Sequence, residues 1–255
     1  MINVRKTLFT IPLLLGLLSR PALAQVILID PGHGGEDCGA KTAYSKPKAN
    51  SQFICEKDLA LRIAKKIQQK LKKNYQVYLT RSLDRTLSLE ERAELADKIK
   101  ADIFVSVHLN SAHTKSGHGY ETYYLDNHKD EAVKKIESIE NRDAKGDEMI
   151  INQILADLVI QRTAPSSKRL ATLIHSNITT RVKTKFNLTD RGIKPALFYV
   201  LALSKRPSVL LEAGFISNDK DIEKILSESF QNRYADGVAR GIRQYFKKKK
   251  KLPIF

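Results

Sequence analysis

Apolar residues recur along the chain with two different spacings, and these spacings predict alternating strands and helices. Short apolar or alternating runs predict strands at 26–29, 75–80, 103–108, 119–125, 196–202 and 208–211. Four-residue spacing predicts amphipathic helices at 58–73 and around 170–182, and two closing helices are predicted at 219–226 and 230–246. Ser88 and Glu91 form a capping-box pattern, so another helix is predicted from there to about Lys100. The alternation predicts an α/β fold: one domain with a mostly parallel central sheet that helices cover on both faces.

The first 24 residues have a different pattern from the rest of the chain. Arg5 and Lys6 precede a mostly apolar run at 8–18, and a small-x-small triplet follows at 22–24. This is the arrangement of a secretory signal peptide. The alternative, an uncleaved anchor, is disfavoured because a membrane-spanning helix needs about 20 apolar residues. We therefore expect a mature chain that begins near Gln25 and is secreted to the periplasm and cell wall.

The chain is strongly basic, with 44 Lys and Arg against 28 Asp and Glu and a net charge of +16. Removing 1–24 takes away three basic residues and no acid, which leaves +13. Such an excess predicts an anionic partner, and export favours a wall or lipid polymer and argues against nucleic acid. The tail at 247–255 begins with Lys247–Lys251, which is either a solvated segment or a contact to an anionic wall or membrane surface.

Four polar side chains stand at or beside the ends of predicted strands, or at a helix start. His33 follows the first strand, Glu56 opens the first helix, His108 ends the third strand and Glu212 ends the last. We expect them to converge, because sites in α/β sheets form beyond the carboxyl ends of strands. Two His and one Glu are the ligand set of a catalytic Zn²⁺ that keeps a fourth position for water. Glu212 could then transfer the proton. Taken singly, each residue has an ordinary structural explanation, and their joint placement is what favours a site.

Other site chemistries find no support in the sequence. It contains no Gly-x-Ser-x-Gly, no phosphate-binding glycine loop and no His-Glu-x-x-His. The two cysteines, Cys38 and Cys55, are not spaced as a zinc pair. In an oxidising compartment they could form a disulfide that joins the loops carrying His33 and Glu56. Two buried thiols are the alternative.

Several segments together resemble the zinc-dependent N-acetylmuramoyl-L-alanine amidases. They are Val-Ile-Leu-Ile-Asp-Pro-Gly-His-Gly-Gly at 26–35 and the segments 56–61, 79–81, 102–111, 191–194, 198–201 and 209–218. The likeness covers nearly all of 25–246 and is greatest to the catalytic domain of the periplasmic amidases that separate daughter cells. It implies an α/β amidase fold, zinc held by His33, Glu56 and His108, and Glu212 as the catalytic acid/base. The implied reaction hydrolyses the amide between N-acetylmuramic acid and L-alanine in peptidoglycan.

The same resemblance suggests roles for residues around the site. Arg191 and Lys194 would contact the anionic stem peptide, and Asn110 would support the site or touch the substrate. The charged segment 126–165 resembles a helical insertion that covers the zinc site of relatives until a protein activator of the division machinery removes it. Glu140 is then the candidate that blocks the zinc, with Glu148 as second choice. An exposed charged helix without metal contact is the alternative.

Two further functions stay open: a zinc peptidase that cuts within the stem peptide, and a non-catalytic wall-binding protein. The presence of all four site residues argues against the second. We expect a monomer whose partners are peptidoglycan and an activator. Only Gln25 separates the predicted cleavage site from the first strand. Localisation is therefore expected to depend on a partner, the basic surface or the lysine tail, since no wall-targeting domain of the kind found in many relatives fits there.

Overall fold

The computed structural model describes residues 25–44, 52–112, 114–142 and 147–249. The strands are β1 Val26–Pro31, β2 Lys41–Tyr44, β3 Gln52–Cys55, β4 Gln76–Leu79, β5 Ile103–Asn110, β6 Tyr120–Leu125, β7 Asp190–Ala196 and β8 Ser208–Phe215. The helices are α1 Glu56–Leu71, α2 Leu89–Lys98, α3 Glu131–Glu140, α4 Asp147–Phe186, α5 Tyr199–Leu203, α6 Asp219–Ile225 and α7 Glu228–Lys249. The predicted signal peptide and the end of the lysine run lie outside the described residues. Within these ranges, no helix is long and apolar enough to cross a membrane.

Six strands form a central sheet in the order β4-β1-β5-β8-β6-β7. Neighbouring strands run parallel except for β6, which is antiparallel to β8 and parallel to β7. Every residue of β5 and β8 is buried, as expected for parallel strands covered on both faces. The predicted mostly parallel sheet is therefore confirmed.

Helices cover both faces, and each face has its own apolar core. Ile27 and Ile29 of β1 point to a core that includes buried residues of α1, α4 and α7. Leu28 points to the opposite core, to which α2, α3, α5 and the first half of α4 contribute. This alternation follows from the two-residue period of strand side chains. The capping box at Ser88 and Glu91 begins α2 as predicted.

The predicted strand at 196–202 is wrong. β7 lies earlier, at Asp190–Ala196, and residues 199–203 form α5. All five residues of α5 are buried. The apolar run therefore has no polar positions whose spacing would distinguish a helix from a strand. The charged start of β7 gives no strand signal of its own. It becomes a strand because β6 pairs with it.

The charged segment 126–165, predicted as a helical insertion, contains α3 and the first half of α4. It begins with α3, but α4 starts inside it and continues for 40 residues into the core. Ala156, Val159 and Ile160 already belong to the core beneath α4. The sequence analysis also missed a small hairpin, in which β2 pairs with β3 immediately before α1.

Candidate active site

His33 lies just beyond the carboxyl end of β1, in a left-handed conformation with φ of 58°. A non-glycine residue adopts this conformation at some cost in free energy. Its Nδ1 is 2.7 Å from Oδ2 of Asp37, and its Nε2 faces the site. A carboxylate on the far nitrogen is the usual way in which a metal-binding His is oriented. The sequence analysis missed Asp37, although its position four residues after His33 was a usable signal.

Glu56 is the first residue of α1, and its side chain is almost fully buried. Its carboxylate accepts hydrogen bonds from the backbone N–H of Ala40 at Oε2 and of Leu109 at Oε1, both at 2.9 Å. Oε1 also lies 3.2 Å from His33 Nε2 and 3.1 Å from His108 Nδ1. Loop, helix and β5 thus bring the three predicted ligands together.

A fourth donor joins this group from α3. One atom each of His33, Glu56, His108 and Glu140 lie within 4.8 Å of one another, a grouping that could hold a metal ion. Among the described residues, His33 Nε2 is a buried nitrogen with no hydrogen-bond partner, because its contact with Glu56 lacks hydrogen-bond geometry. Such an unpaired nitrogen, facing carboxylates and a second imidazole, fits a metal ligand. The donor set therefore suits a Zn²⁺ ion.

The mutual charges of this cluster shift its protonation. Burial opposes a charge on His33, but Glu56 and Asp37 outweigh it and raise the pKa of that imidazole well above its usual value. Burial likewise opposes a charge on Glu56, and His33 and His108 together hold its pKa well below the ordinary range. The carboxylates around His33 thus stabilise positive charge in this buried pocket, which is the environment that a bound cation would need.

Glu212 lies beside the cluster on β8. It is the register partner of His108 on β5 and of Glu121 on β6. It is almost fully buried, and in the described part of the chain its Oε2 has no hydrogen-bond partner. Burial, followed by the charges of Glu56, Glu140 and Glu121, raises the pKa of Glu212 well above its ordinary value. A buried carboxylate with a raised pKa accepts a proton more readily than an ordinary Glu, which suits general acid/base chemistry.

Glu140, at the end of α3, reaches the cluster. Its Oε2 lies 3.2 Å from His108 Nδ1 and 3.8 Å from His33 Nε2, and its side chain is mostly buried. The next residue fixes this end of the helix: Asn141 donates to the carbonyl of Leu197 at 2.8 Å and accepts from the N–H of Tyr199 at 2.9 Å. Arg142 forms an ion pair with Asp37. The structure therefore places α3 over the site.

The three residues expected near the substrate meet at one unpredicted carboxylate. Asn110 Nδ2 donates to Oε1 of Glu121 at 2.6 Å. Arg191 Nε and Lys194 Nζ both donate to Oε2, at 3.1 and 2.6 Å. The sequence analysis missed Glu121, although a charged residue within the predicted strand at 119–125 could have drawn attention to it.

Cys38 and Cys55 form a disulfide, which is one of the two alternatives that the sequence left open. Cys55 directly precedes Glu56, and the carbonyl of Cys38 accepts from the N–H of Lys57 at 3.2 Å. Gly39, next to Cys38, has φ of +68°, and a Cβ there would lie 2.5 Å from the His33 ring and 2.7 Å from Oε2 of Glu56. Gly39 thus lies directly against two of the predicted metal ligands, and the disulfide joins the two residues next to Gly39 and Glu56 in the sequence.

Taken together, the fold and the site define a class: an α/β protein with a buried His/Glu/His cluster and a further buried carboxyl group at the carboxyl ends of parallel strands. Comparisons with known proteins agree with this class. Residues 27–244 match the N-acetylmuramoyl-L-alanine amidase family Amidase_3. The amidase LytC of Bacillus subtilis (strain 168) is 32% identical over 231 residues, which are 90% of this chain and 37% of LytC. The chain thus spans little more than a third of that relative.

Two solved structures extend the comparison. The N-acetylmuramoyl-L-alanine amidase of Clostridium difficile 630 is 31% identical with a TM-score of 0.65, and the match covers 89% of this chain and all of that one. The CwlD amidase of Clostridioides difficile, solved in complex with the GerS lipoprotein, is 26% identical with a TM-score of 0.63 and covers 88% of this chain and 99% of CwlD. The chain therefore belongs to the N-acetylmuramoyl-L-alanine amidase family. Its reaction is hydrolysis of the amide that joins N-acetylmuramic acid to L-alanine in peptidoglycan.

Proposed function

We propose that the chain is a secreted, zinc-dependent amidase in which His33, Glu56 and His108 hold the metal and Glu212 is the catalytic acid/base. The observation that carries this proposal is the convergence of these four buried residues from β1, α1, β5 and β8. The unpaired Nε2 of His33 supports it further. Zinc bound there would lower the pKa of a water molecule and polarise the carbonyl group of the scissile amide.

The protein's own residues then have separate tasks. Asp37 fixes the orientation of His33, and the two backbone N–H groups on Glu56 hold its carboxylate in place. Glu212 takes up a proton from the attacking water and passes it to the leaving amine of L-alanine. Its raised pKa, which burial causes first, means that it holds a proton readily at this position. Burial also keeps bulk water away from the reacting groups.

The structure further supports a latent state. Glu140 shares the donor cluster with the three proposed ligands, and a carboxylate is a good ligand for zinc. In this proposal Glu140 takes the position that water needs, and the contacts of Asn141 and Arg142 keep it there. The enzyme becomes active when α3 is drawn away from the site.

We call this block of the site by Glu140 the latch. A protein activator of the division machinery is the partner that would release it, and daughter-cell separation is the process that we infer. Three apolar side chains of α4, Ile151, Ile154 and Leu158, are exposed close to α3 in sequence and offer an apolar surface to such a partner. The complex of CwlD with GerS supports the idea that amidases of this family associate with proteins. The basic surface and Lys247–Lys251 would add contact to an anionic wall or membrane.

Product analysis tests the reaction. Purified peptidoglycan is incubated with the zinc-loaded mature chain, both as wild type and as Glu140→Ala, and the products are identified by mass spectrometry. We expect free stem peptides that begin with L-alanine and glycan strands with bare lactyl groups, and no products after chelation. Cuts inside the stem would instead show a peptidase. No products from either folded, zinc-loaded protein would favour a wall-binding protein.

The latch is tested by a point substitution. Deleting 127–162 would remove the core residues Ala156, Val159 and Ile160 of α4, so a loss of activity could reflect misfolding. Glu140→Ala removes only the blocking carboxylate and is expected to raise basal activity at least about tenfold. Glu131→Ala, on the exposed start of the same helix, is the matched control and should change nothing. Equal basal activity in Glu140→Ala and wild type would contradict the latch.

A further inference from the structure

Glu121 is a fully buried carboxylate that bonds to three donors. Its side chain has no exposed surface, and its two oxygens accept from Asn110, Arg191 and Lys194. One negative charge is thus surrounded by two positive charges, and the group keeps a net positive charge. Burying a carboxylate costs free energy unless its hydrogen-bond partners stay in place. Glu121 therefore keeps both cations in defined positions.

A local irregularity of β7 brings the two cations to the same side. Arg191 and Lys194 are three residues apart, and in a regular strand they would point to opposite faces. Between Tyr120 and Thr122 of β6, however, the register shifts from Asp190 to Ile193, which gives β7 one extra residue. Gly192, in that extra stretch, has φ of +80°. The bulge redirects Arg191, and both cations reach the same oxygen.

The cations lie in line with the catalytic residues. His108 on β5, Glu212 on β8 and Glu121 on β6 are successive register partners across three adjacent strands. Arg191 and Lys194 occupy the next strand, β7. Neighbouring strands are about 4.8 Å apart, so the backbone of β7, which carries both cations, lies roughly 10 Å from the backbone of β8, which carries Glu212. This is the distance from a scissile amide to the side carboxylate of the second or third residue of an extended peptide.

The cations remain accessible from outside. Their side chains are 35% and 25% exposed. Arg191 donates to Glu121 through its Nε. The centre of its guanidinium also lies 5.2 Å from the centroid of the Phe215 ring. The terminal nitrogens of Arg191 have no hydrogen bond among the described residues, and their planar geometry suits a carboxylate.

We propose that Glu121 is a positioning residue that holds Arg191 and Lys194 as a receptor for a carboxylate of the stem peptide, two or three residues beyond the hydrolysed amide. The inference rests on the proposed function and adds a substrate preference to it. The receptor selects peptides whose second and third residues carry free carboxylates over peptides in which these groups are amidated.

Two matched substrates test the receptor. One is a muramoyl tripeptide with free carboxylates on the second and third residues, and the other is its carboxamide analogue. Wild type is expected to show a KM at least fivefold lower for the carboxylate form. Arg191→Gln and Lys194→Met should each remove most of that difference by raising this KM, with little change in kcat or in the turnover of the carboxamide. Glu121→Gln should remove it as well, and Lys65→Met, on the exposed face of α1, should leave it intact.

The outcomes separate this inference from the proposed function. All proteins are assayed with and without Glu140→Ala, so that latency does not hide turnover. Hydrolysis of both substrates with equal KM by wild type would overturn the receptor and leave the amidase reaction standing. Equal losses on both substrates in the Arg191 and Lys194 variants would show a structural role and also overturn it. Hydrolysis of neither substrate would contradict both proposals. If Glu121→Gln does not fold, Arg191→Gln and Lys194→Met still test the proposed carboxylate receptor.

Discussion

Glu212 is buried among other carboxylates, and its surroundings determine both its reactivity and its cost to stability. Glu212→Gln keeps the shape of the side chain but cannot transfer a proton. We expect it to lower the rate of amide hydrolysis by about 10²–10⁴-fold. The measurement is kcat/KM in the Glu140→Ala background, and Glu94→Gln, which is exposed on α2, serves as control. A rate within threefold of wild type would contradict the assignment.

The same substitution is expected to stabilise the metal-free protein at neutral pH. Burial raises the pKa of Glu212 in the folded state above its ordinary 4.5, so unfolded chains release this proton at lower pH than folded ones. The free energy of unfolding of wild type therefore loses about 1.4 kcal/mol for each pH unit between the two pKa values. Gln does not titrate, so the advantage of Glu212→Gln should grow as the pH rises above the ordinary pKa of 4.5 and level off at the folded-state pKa. Urea unfolding at several pH values measures it, and a constant difference would contradict the prediction.

Gly39 allows two proposed ligands to approach the backbone. An added Cβ would meet His33 and Glu56, so Gly39→Ala is expected to weaken zinc binding at least about tenfold, as changes beside metal ligands do. Gly192→Ala is a matched control, because Gly192 also has positive φ but a Cβ added there would have no atom within 4 Å. Zinc affinity measured by competition with a chelator should separate the two variants. If both variants lose the same zinc affinity, the loss is due to backbone strain alone.

At the scale of elements, the hairpin of β2 and β3 is joined by a disulfide to the loop behind His33. The bond links residues 17 apart and is expected to contribute about 3 kcal/mol by restricting the unfolded chain. The double variant Cys38→Ser/Cys55→Ser should therefore have a lower Tm by several degrees. Its zinc affinity should also fall while its overall secondary structure is largely kept, because Glu56 follows Cys55 directly.

Reduction of wild type provides the control for this disulfide. Treatment with a reductant should reproduce the lower Tm, whereas the double variant should not respond to it. Thermal unfolding followed by circular dichroism measures both. A double variant with the Tm of oxidised wild type would show that the hairpin is held by its backbone pairing alone.

At the scale of the whole molecule, the excess of positive charge predicts where the enzyme works. Removing 247–255 takes away five consecutive lysines, each worth about 1 kcal/mol at an anionic bilayer. We expect the shortened chain to bind anionic vesicles much less tightly and to hydrolyse a soluble muramoyl peptide at an unchanged rate. Co-sedimentation with anionic vesicles measures binding, and uncharged vesicles and high salt are the controls. Unchanged binding would indicate that the tail is only a solvated segment.

The sequence by itself determined the strands and helices with a clear period, and the chemistry at the strand ends. The buried runs of β1, β5 and β8 can be recognised locally, because a strand covered on both faces must be apolar throughout. His33, His108 and Glu212 could be singled out because each stands in or just after such a strand, and Glu56 because it opens the first helix. The prediction at 196–202 was wrong because a fully buried run has no local period.

The tertiary structure alone decided which distant residues meet. The pairing of His108 with Glu212 is a matter of strand register, and the contact of Glu140 with the cluster depends on how α3 packs. Glu121 acquired its partners only through the bulge in β7. These contacts depend on pairing and packing between segments far apart in the chain, whereas sequence periodicity reports only on neighbours along it. For that reason the proposed ligands and Glu140 could be named from the sequence, while the contact distances of Glu140 and the cluster around Glu121 required the fold.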